Sequence, residues 1–173
     1  MNGDITTWST DPMTPNGQQA ALPDPNSTGR TVFLDLPANY TSLNILDACI
    51  IEILEQVEYM AEPAIIINDI RVAVQEACTI IIEHAYADQE RGRIAVAFTL
   101  DEEPRCLRVE LHHTGSLIDF EPPDQQEDVA ASLNPEEPET RGYGLFLLYT
   151  LMDEVTYTPQ PGNNRWVMTR HLV

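Results

Sequence analysis

Residues 64–87, AIIINDIRVAVQEACTIIIEHAYA, carry two helix faces in one segment of the chain. Apolar residues recur there every three or four positions, which is the spacing of one face of an α-helix. These positions are Ile70, Val74, Ala77, Cys78, Ile81 and Ala85. A second, mixed face lies beside the first, because residues four apart stack on a helix, and it contains Glu76, Ile80, Glu83 and His84. The segment Ala64–Ala87 therefore predicts a long helix that buries one face in a core.

Another helix and a strand are predicted before this segment. Pro63 separates the segment from Leu43–Met60, which has the same helical spacing of apolar residues and a candidate N-cap at Thr41 or Ser42. Further upstream, Thr31–Leu36 (TVFLDL) predicts a strand.

Two pairs of strands follow the long helix, with a third helix between them. Arg93–Leu100 and Cys106–His112 are separated by a short turn and predict a hairpin. Leu145–Val155 predicts the third helix, and Val155–Thr158 and Arg165–Leu172 predict the last two strands. This order predicts an α+β fold. We expect a two-layer sandwich with three main helices on one face of a mostly antiparallel mixed sheet.

Composition divides the chain into an arm, a domain and a loop. Residues 1–30 are rich in Thr, Pro, Asn, Gly and Ser, lack hydrophobic periodicity and predict a flexible arm. Residues 31–173 carry the periodic segments and predict one domain. Within it, residues 116–141 predict a lid-like acidic loop: from Asp119 to Glu139 there are eight acidic residues, four prolines and no basic residue. A loop of this length in a compact domain is usually a functional lid or a disordered segment.

The charge balance restricts the partners of the protein. The chain has 28 acidic and 9 basic residues, all nine of them arginine, and a net charge of −19. Such a chain repels phosphate backbones and anionic membrane surfaces, so we expect a basic protein as partner, and neither nucleic acid nor a membrane. No signal peptide and no apolar run of about 18 residues is visible. Cys49, Cys78 and Cys106 lie in apolar runs and are expected to be buried free thiols, which favours the cytoplasm.

Three segments, in this order, resemble the anti-sigma factor serine kinases of the GHKL, or histidine-kinase-like, ATPase superfamily. Val74–Tyr86 (VQEACTIIIEHAY) is similar to the N-box helix of that family. Leu107–Phe120 (LRVELHHTGSLIDF) lies where the family has an Asp-x-Gly turn after a strand. Arg141–Tyr157 (RGYGLFLLYTLMDEVTY) looks like the glycine-rich box and the helix that it opens. The resemblance covers residues 31–173 and implies a GHKL ATPase-like regulatory domain.

The resemblance also implies roles for single residues. Glu76 matches the family's general base, which takes a proton from a partner serine. Ile80 stands where the family has the Asn that holds Mg²⁺, and isoleucine has no oxygen to offer a hard cation. His113 stands where the family has the Asp that accepts a hydrogen bond from adenine, which a neutral imidazole can do through one nitrogen. The other positions implied to contact the nucleotide are His84, Gly115, Arg141, Gly142 and Gly144.

These substitutions leave three functions open. The first is a homodimeric anti-sigma-factor-like protein that binds a sigma factor or an anti-sigma antagonist, with ATP- and Mg-dependent kinase activity weakened or lost. The second is an active protein serine kinase that uses ATP through a modified pocket. The third is a nucleotide-independent protein-interaction scaffold. We prefer the first, because the base and the phosphate-facing glycines are kept, whereas the metal ligand is not and the acidic lid repels ATP. A metal site of the protein's own side chains is not expected, since His112 and His113 point to opposite faces of a strand.

Overall fold

The computed structural model describes residues 30–87, 92–119 and 140–173, except for the side chains of residues 140–142. Helices and strands follow one another there in the predicted order. They are β1 (Arg30–Pro37), α1 (Tyr40–Glu55), α2 (Pro63–Ile80), β2 (Arg93–Glu102), β3 (Arg105–His113), α3 (Thr140–Leu151), β4 (Glu154–Thr158) and β5 (Asn164–His171). A π-helical turn, Ile81–Ala85, continues α2. Residues 1–29 of the predicted arm and residues 120–139 of the predicted lid lie outside the described residues.

The strands form one sheet in the order β1-β2-β3-β5-β4. Each of the four pairings among the described strands is antiparallel, and the predicted hairpin is β2 paired with β3. In one row across the sheet, Phe98 is opposite Val32 and Val109, and Val109 is opposite Met168. The expectation of a mostly antiparallel sheet is confirmed. The parallel pairing that a mixed sheet would contain is not found among the described strands.

The two faces of the sheet differ in polarity. Phe98, Val109 and Met168 are buried on the face toward the helices. The residues that alternate with them, such as Glu110 and Arg165, are polar and form ion pairs on the other face. One apolar face covered by helices and one polar open face define the predicted two-layer sandwich, which is confirmed.

The long helix packs as its sequence predicts. All six residues of its apolar stripe are buried, and α2 contacts α1 on one side and α3 on the other. The Arg71 guanidinium on α2 donates to both carboxylate oxygens of Asp47 on α1, at 2.5 and 2.9 Å, which fixes the two helices against each other. Cys78 and Cys106 are buried free thiols as expected, whereas Cys49 is only half-buried.

Helix α1 differs from its prediction at both ends. Asn39 is the N-cap, since its Oδ1 accepts the Ser42 amide N–H at 3.0 Å, so the predicted caps Thr41 and Ser42 are wrong. The helix ends at Glu55 and not at Met60. The reason is tertiary: the loop that follows is bonded to the β3 and β5 end of the sheet and leaves the helical path.

Helix α3 begins and ends about one turn before its prediction. It begins at Thr140, so the glycines predicted to precede it are inside it. It ends at Leu151 because the Asp153 amide N–H donates to the Thr169 carbonyl of β5 at 2.9 Å, which starts the next strand.

The helices of the described ranges include none that is long and apolar enough to cross a membrane.

Candidate functional site

The Glu76 carboxylate lies against the backbone of α3 at Gly144. A Cβ atom on Gly144 would be 2.6 Å from Glu76 Oε2, so only glycine leaves room for the carboxylate in this position. Burial, and after it the negative charge of Glu83, raises the pKa of Glu76 above its ordinary value. A raised pKa makes the carboxylate a stronger proton acceptor near neutral pH, which is the property that a general base requires.

Ile80 lies one helical turn beyond Glu76 and fills the gap between α2 and α3. Its side chain is 5% exposed, and its Cδ1 lies 3.9 Å from the position of a Cβ on Gly144. The side chain offers no oxygen at this point. Over residues 30–87, 92–119 and 140–173, no three His, Cys, Asp or Glu side chains are close enough together to hold a metal ion.

The other end of α2 contacts the turn after β3. The Ser116 amide N–H donates to the Ala85 carbonyl at 2.8 Å. A Cβ on Gly115 would be 2.6 Å from that same carbonyl oxygen, so the turn reaches the helix only because residue 115 is glycine. The π-helical turn ends where the Tyr86 amide donates to Ile81, five residues back. Such turns are often found at functional sites, and this one brings Ala85 to Gly115.

His113, the last residue of β3, is a buried imidazole without a hydrogen-bond partner in the described part of the chain. The residue is 2% exposed, and neither Nδ1 nor Nε2 is paired there. Burial, and after it the charge of His112, lowers the pKa of His113 to about 4. The ring is therefore neutral at pH 7, with one nitrogen that donates and one that accepts. Burial of both nitrogens without a partner costs free energy.

Three polar residues that sequence reasoning did not single out hold the Gly115 turn. The Tyr86 hydroxyl donates to the Arg93 carbonyl at 2.7 Å and accepts the Thr114 amide at 3.1 Å. The Asn164 side-chain amide donates to the Gly115 carbonyl at 3.0 Å. The Tyr157 hydroxyl donates to Asn164 Oδ1 at 3.3 Å.

A signal for Asn164 was present in the sequence. It alternates with Trp166 and Met168 on the buried face of β5, and a polar residue in such a row indicates a specific hydrogen-bonding role. The turn that it holds borders an open cleft of about 480 Å³. Ala85, Gly115, Leu117 and Gly162 are among the residues that line this cleft.

The structure brings predicted site residues together at two separate places on α2 and its π turn. Glu76, Ile80 and Gly144 meet at one point, and Ala85 and Gly115 meet nine residues further along, or about 13 Å on a helix. The half-buried His84 lies in the π turn between them. Arg141 and Gly142 belong to the first turn of α3, and their surroundings are outside the described residues.

Fold and site together define a class of protein. The model of the family described as the histidine kinase-like ATPase domain matches residues 37–170, and the chain belongs to this family. Its relatives include serine-protein kinases named RsbW. The one from Bacillus pumilus is 30% identical over 142 residues, which are 79% of this chain and 83% of the relative. The one from Bacillus velezensis is 35% identical over 109 residues, 61% of this chain and 65% of the relative.

A third RsbW, from Oceanobacillus iheyensis, is 36% identical over 100 residues, 56% of this chain and 60% of the relative. The chain thus spans less than two thirds of the Bacillus velezensis and Oceanobacillus iheyensis relatives. A solved structure of the RsbU and RsbW domains of Rv1364c from Mycobacterium tuberculosis shares the fold. It has a TM-score of 0.57 and 19% identity, over 83% of this chain and 32% of that one.

Proposed function

We propose that this protein is an anti-sigma-factor-like regulator in which kinase activity is weakened or lost. It acts as a homodimer and binds a sigma factor, an anti-sigma antagonist, or both. The observation that carries the proposal is Ile80, an apolar side chain buried beside Glu76 and Gly144 where the family resemblance places the metal ligand. Glu76 matches the general base of the family, whereas Ile80 replaces the residue that binds the metal.

The residues fit a nucleotide base better than they fit a metal. The neutral imidazole of His113 has one unprotonated nitrogen, which can accept one hydrogen bond from the adenine amino group. Gly115, held against Ala85, keeps the neighbouring backbone in a fixed position. Bound ATP would supply the phosphoryl group, and the raised pKa of Glu76 suits it to take a proton from a serine of the partner.

The position of Ile80 is poorly suited to bind Mg²⁺. Mg²⁺ prefers oxygen ligands, and in phosphoryl transfer it neutralises the charge that develops on the phosphate. Ile80 contributes only apolar surface at the position in question. Loss of this ligand is expected to slow transfer much more than it weakens the fold, because an isoleucine there is well packed.

A second candidate, the active kinase, is supported by one observation. Glu76 retains both its position against Gly144 and a raised pKa, which a scaffold without catalysis would not need. The two proposals differ in the rate of phosphate transfer and not in binding.

The net charge of −19 supports a basic protein segment as partner. Purified sigma factors and antagonist proteins from the same source genome should be titrated against the chain, with a neutral protein of similar size as control. If none binds at physiological salt, the partner half of the proposal is wrong.

The nucleotide half is tested by calorimetry with ATP, ADP and GTP, each with and without Mg²⁺. We expect ATP and ADP to bind with little dependence on Mg²⁺, and transfer to a serine-containing antagonist to be slow or absent. Rapid transfer that Glu76→Gln abolishes would favour the active kinase. If none of the three nucleotides binds, the nucleotide-independent scaffold is favoured.

A further inference from the structure

The loop between α1 and α2 presents one aromatic side chain almost entirely to solvent. Tyr59 is 85% exposed, more than any other large hydrophobic residue of the described chain. Its backbone is left-handed, with φ of 62°, and Glu62 in the same loop has φ of 38°. A non-glycine residue is disfavoured in this region, and asparagine or glycine would fit better than tyrosine.

The strained conformation is held from both sides. The Arg105 guanidinium donates to the Glu58 carbonyl at 2.7 Å, directly before Tyr59. The Ala61 amide donates to the Leu172 carbonyl at 3.1 Å, two residues after it. Val57 and Met60 pack against the core. The fold therefore fixes the loop while the tyrosine ring contributes little to the core, and a side chain that suits neither its backbone nor the core indicates a role at the surface.

Acidic residues lie on both sides of Tyr59 in the sequence. Glu55, Glu58 and Glu62 are exposed, and none of the three forms an ion pair with another described residue. Ile65, in the first turn of α2, adds an apolar side chain that is 53% exposed. An exposed aromatic ring in an acidic, exposed segment is complementary to arginine and lysine, which stack on the ring and pair with the acids.

We propose that Tyr59, with Glu55, Glu58, Glu62 and Ile65, forms a docking surface for an arginine- or lysine-rich segment of a protein partner. This inference deepens the proposed function and rests only on its protein-binding half. The surface lies at the Pro63 end of α2, whereas Gly115 contacts the Ala85 end, about 33 Å away along the helix. Docking there leaves Gly115, a predicted nucleotide contact, free.

The test uses the full chain and a labelled helical peptide with several arginines and a leucine stripe. The control peptide has every arginine replaced by glutamine. Tyr59→Asn is the decisive variant, because asparagine tolerates a left-handed backbone and keeps the loop folded. Phe33→Ala is its matched control, since Phe33 is also an exposed aromatic (49%) but lies on β1. Glu58→Gln is matched by Glu52→Gln, which removes the same charge from α1.

We expect Tyr59→Asn to weaken binding of the arginine peptide about tenfold, and Phe33→Ala less than twofold. Glu58→Gln should weaken it more than Glu52→Gln does. Equal effects of Glu58→Gln and Glu52→Gln would mean that the peptide responds only to overall charge, and would overturn the inference. Unchanged binding by Tyr59→Asn would do the same.

The same variants separate this inference from the nucleotide half of the proposed function. ATP titration of Tyr59→Asn should match that of the wild-type chain. If the chain does not bind ATP and Tyr59→Asn still weakens peptide binding, the docking surface is supported and the nucleotide assignment is wrong. If ATP binds while Tyr59→Asn keeps the peptide, the reverse holds.

Discussion

The Oε2 atom of Glu76 occupies the space that a side chain on Gly144 would need. A Cβ there would lie 2.6 Å from the oxygen, well inside van der Waals contact. The sequence pattern suggested that this glycine contacts phosphate. In the structure, its position in the second turn of α3 lets a carboxylate lie between two helices, and the phosphate contact stays a prediction.

Gly144→Ala should therefore change Glu76 and not the fold. The atom in the way is the end of a flexible side chain, which can rotate aside, and alanine gains about 1 kcal/mol of helix propensity over glycine. We expect the free energy of unfolding to change by less than about 1 kcal/mol and the pKa of Glu76 to fall toward its ordinary value as the carboxylate moves into solvent. Carbon-13 titration of the glutamate carboxyls measures this, and an unchanged Glu76 pKa would contradict it.

Gly115→Ala should be far more damaging. The atom in the way is the Ala85 carbonyl oxygen, a backbone atom that already accepts the Ser116 amide, so the turn must move. We expect a loss of about 2–4 kcal/mol in the free energy of unfolding, measured by urea denaturation. Gly162→Ala is the control: nothing lies within 4 Å of its Cβ position, and only its φ of 76° is unfavourable, so about 1–2 kcal/mol is expected. A Gly115 variant as stable as this control would show that the contact is not tight.

Ile80→Asn combined with His113→Asp should create Mg²⁺-dependent ATP binding. The asparagine supplies the oxygen that Ile80 lacks, and the aspartate supplies a carboxylate for the adenine amino group. Burying the asparagine should cost about 1–3 kcal/mol without ligand. Thermal unfolding with and without ATP and Mg²⁺ measures both effects. Ile80→Val with His113→Asp, which keeps the apolar side chain, should show no Mg²⁺ dependence; an equal gain by both pairs would argue against the role of position 80.

Stability should fall on acidification because of His113. Its pKa is lowered to about 4 from 6.5, so between these values the unfolded chain takes up a proton that the folded chain refuses. The free energy of unfolding should decrease as pH falls from 6.5 to 4, by at most about 3 kcal/mol from this residue. The pKa of Glu110 is lowered to about 2, chiefly by the hydrogen bond from His112. Protonation of Glu110 in the unfolded chain therefore causes a further loss of stability below pH 4.5, its ordinary pKa.

Urea unfolding of His113→Phe at several pH values isolates the His113 contribution. The loss between pH 6.5 and 4 should shrink in this variant, and its stability at neutral pH should not decrease, since both unpaired nitrogens are removed together. His171→Gln, at an exposed histidine, should leave the profile unchanged. An acid loss of equal size in His113→Phe would assign it to other groups.

The order of elements and the buried faces could be predicted from the sequence because they depend on local periodicity. The apolar stripe from Ile70 to Ala85 and the hairpin from Arg93 to His112 repeat at 3.6 and 2 residues, and those repeats specify a helix and strands wherever they occur. The family motifs were visible for the same reason, since each lies within one element. The candidate positions Glu76, Ile80 and Gly144 were found in this way.

What those positions contact was decided only by the tertiary structure. Glycine is required where another atom occupies the space of a side chain. Glu76 occupies that space at Gly144 and the Ala85 carbonyl at Gly115, and both partners are distant in the sequence. The start of α1 and the end of α3 differ from their predictions because hydrogen bonds of Asn39 and Asp153 outweigh helix propensity. The unpaired ring of His113 and the strained, exposed Tyr59 are likewise set by packing between elements, on which periodicity in the chain carries no information.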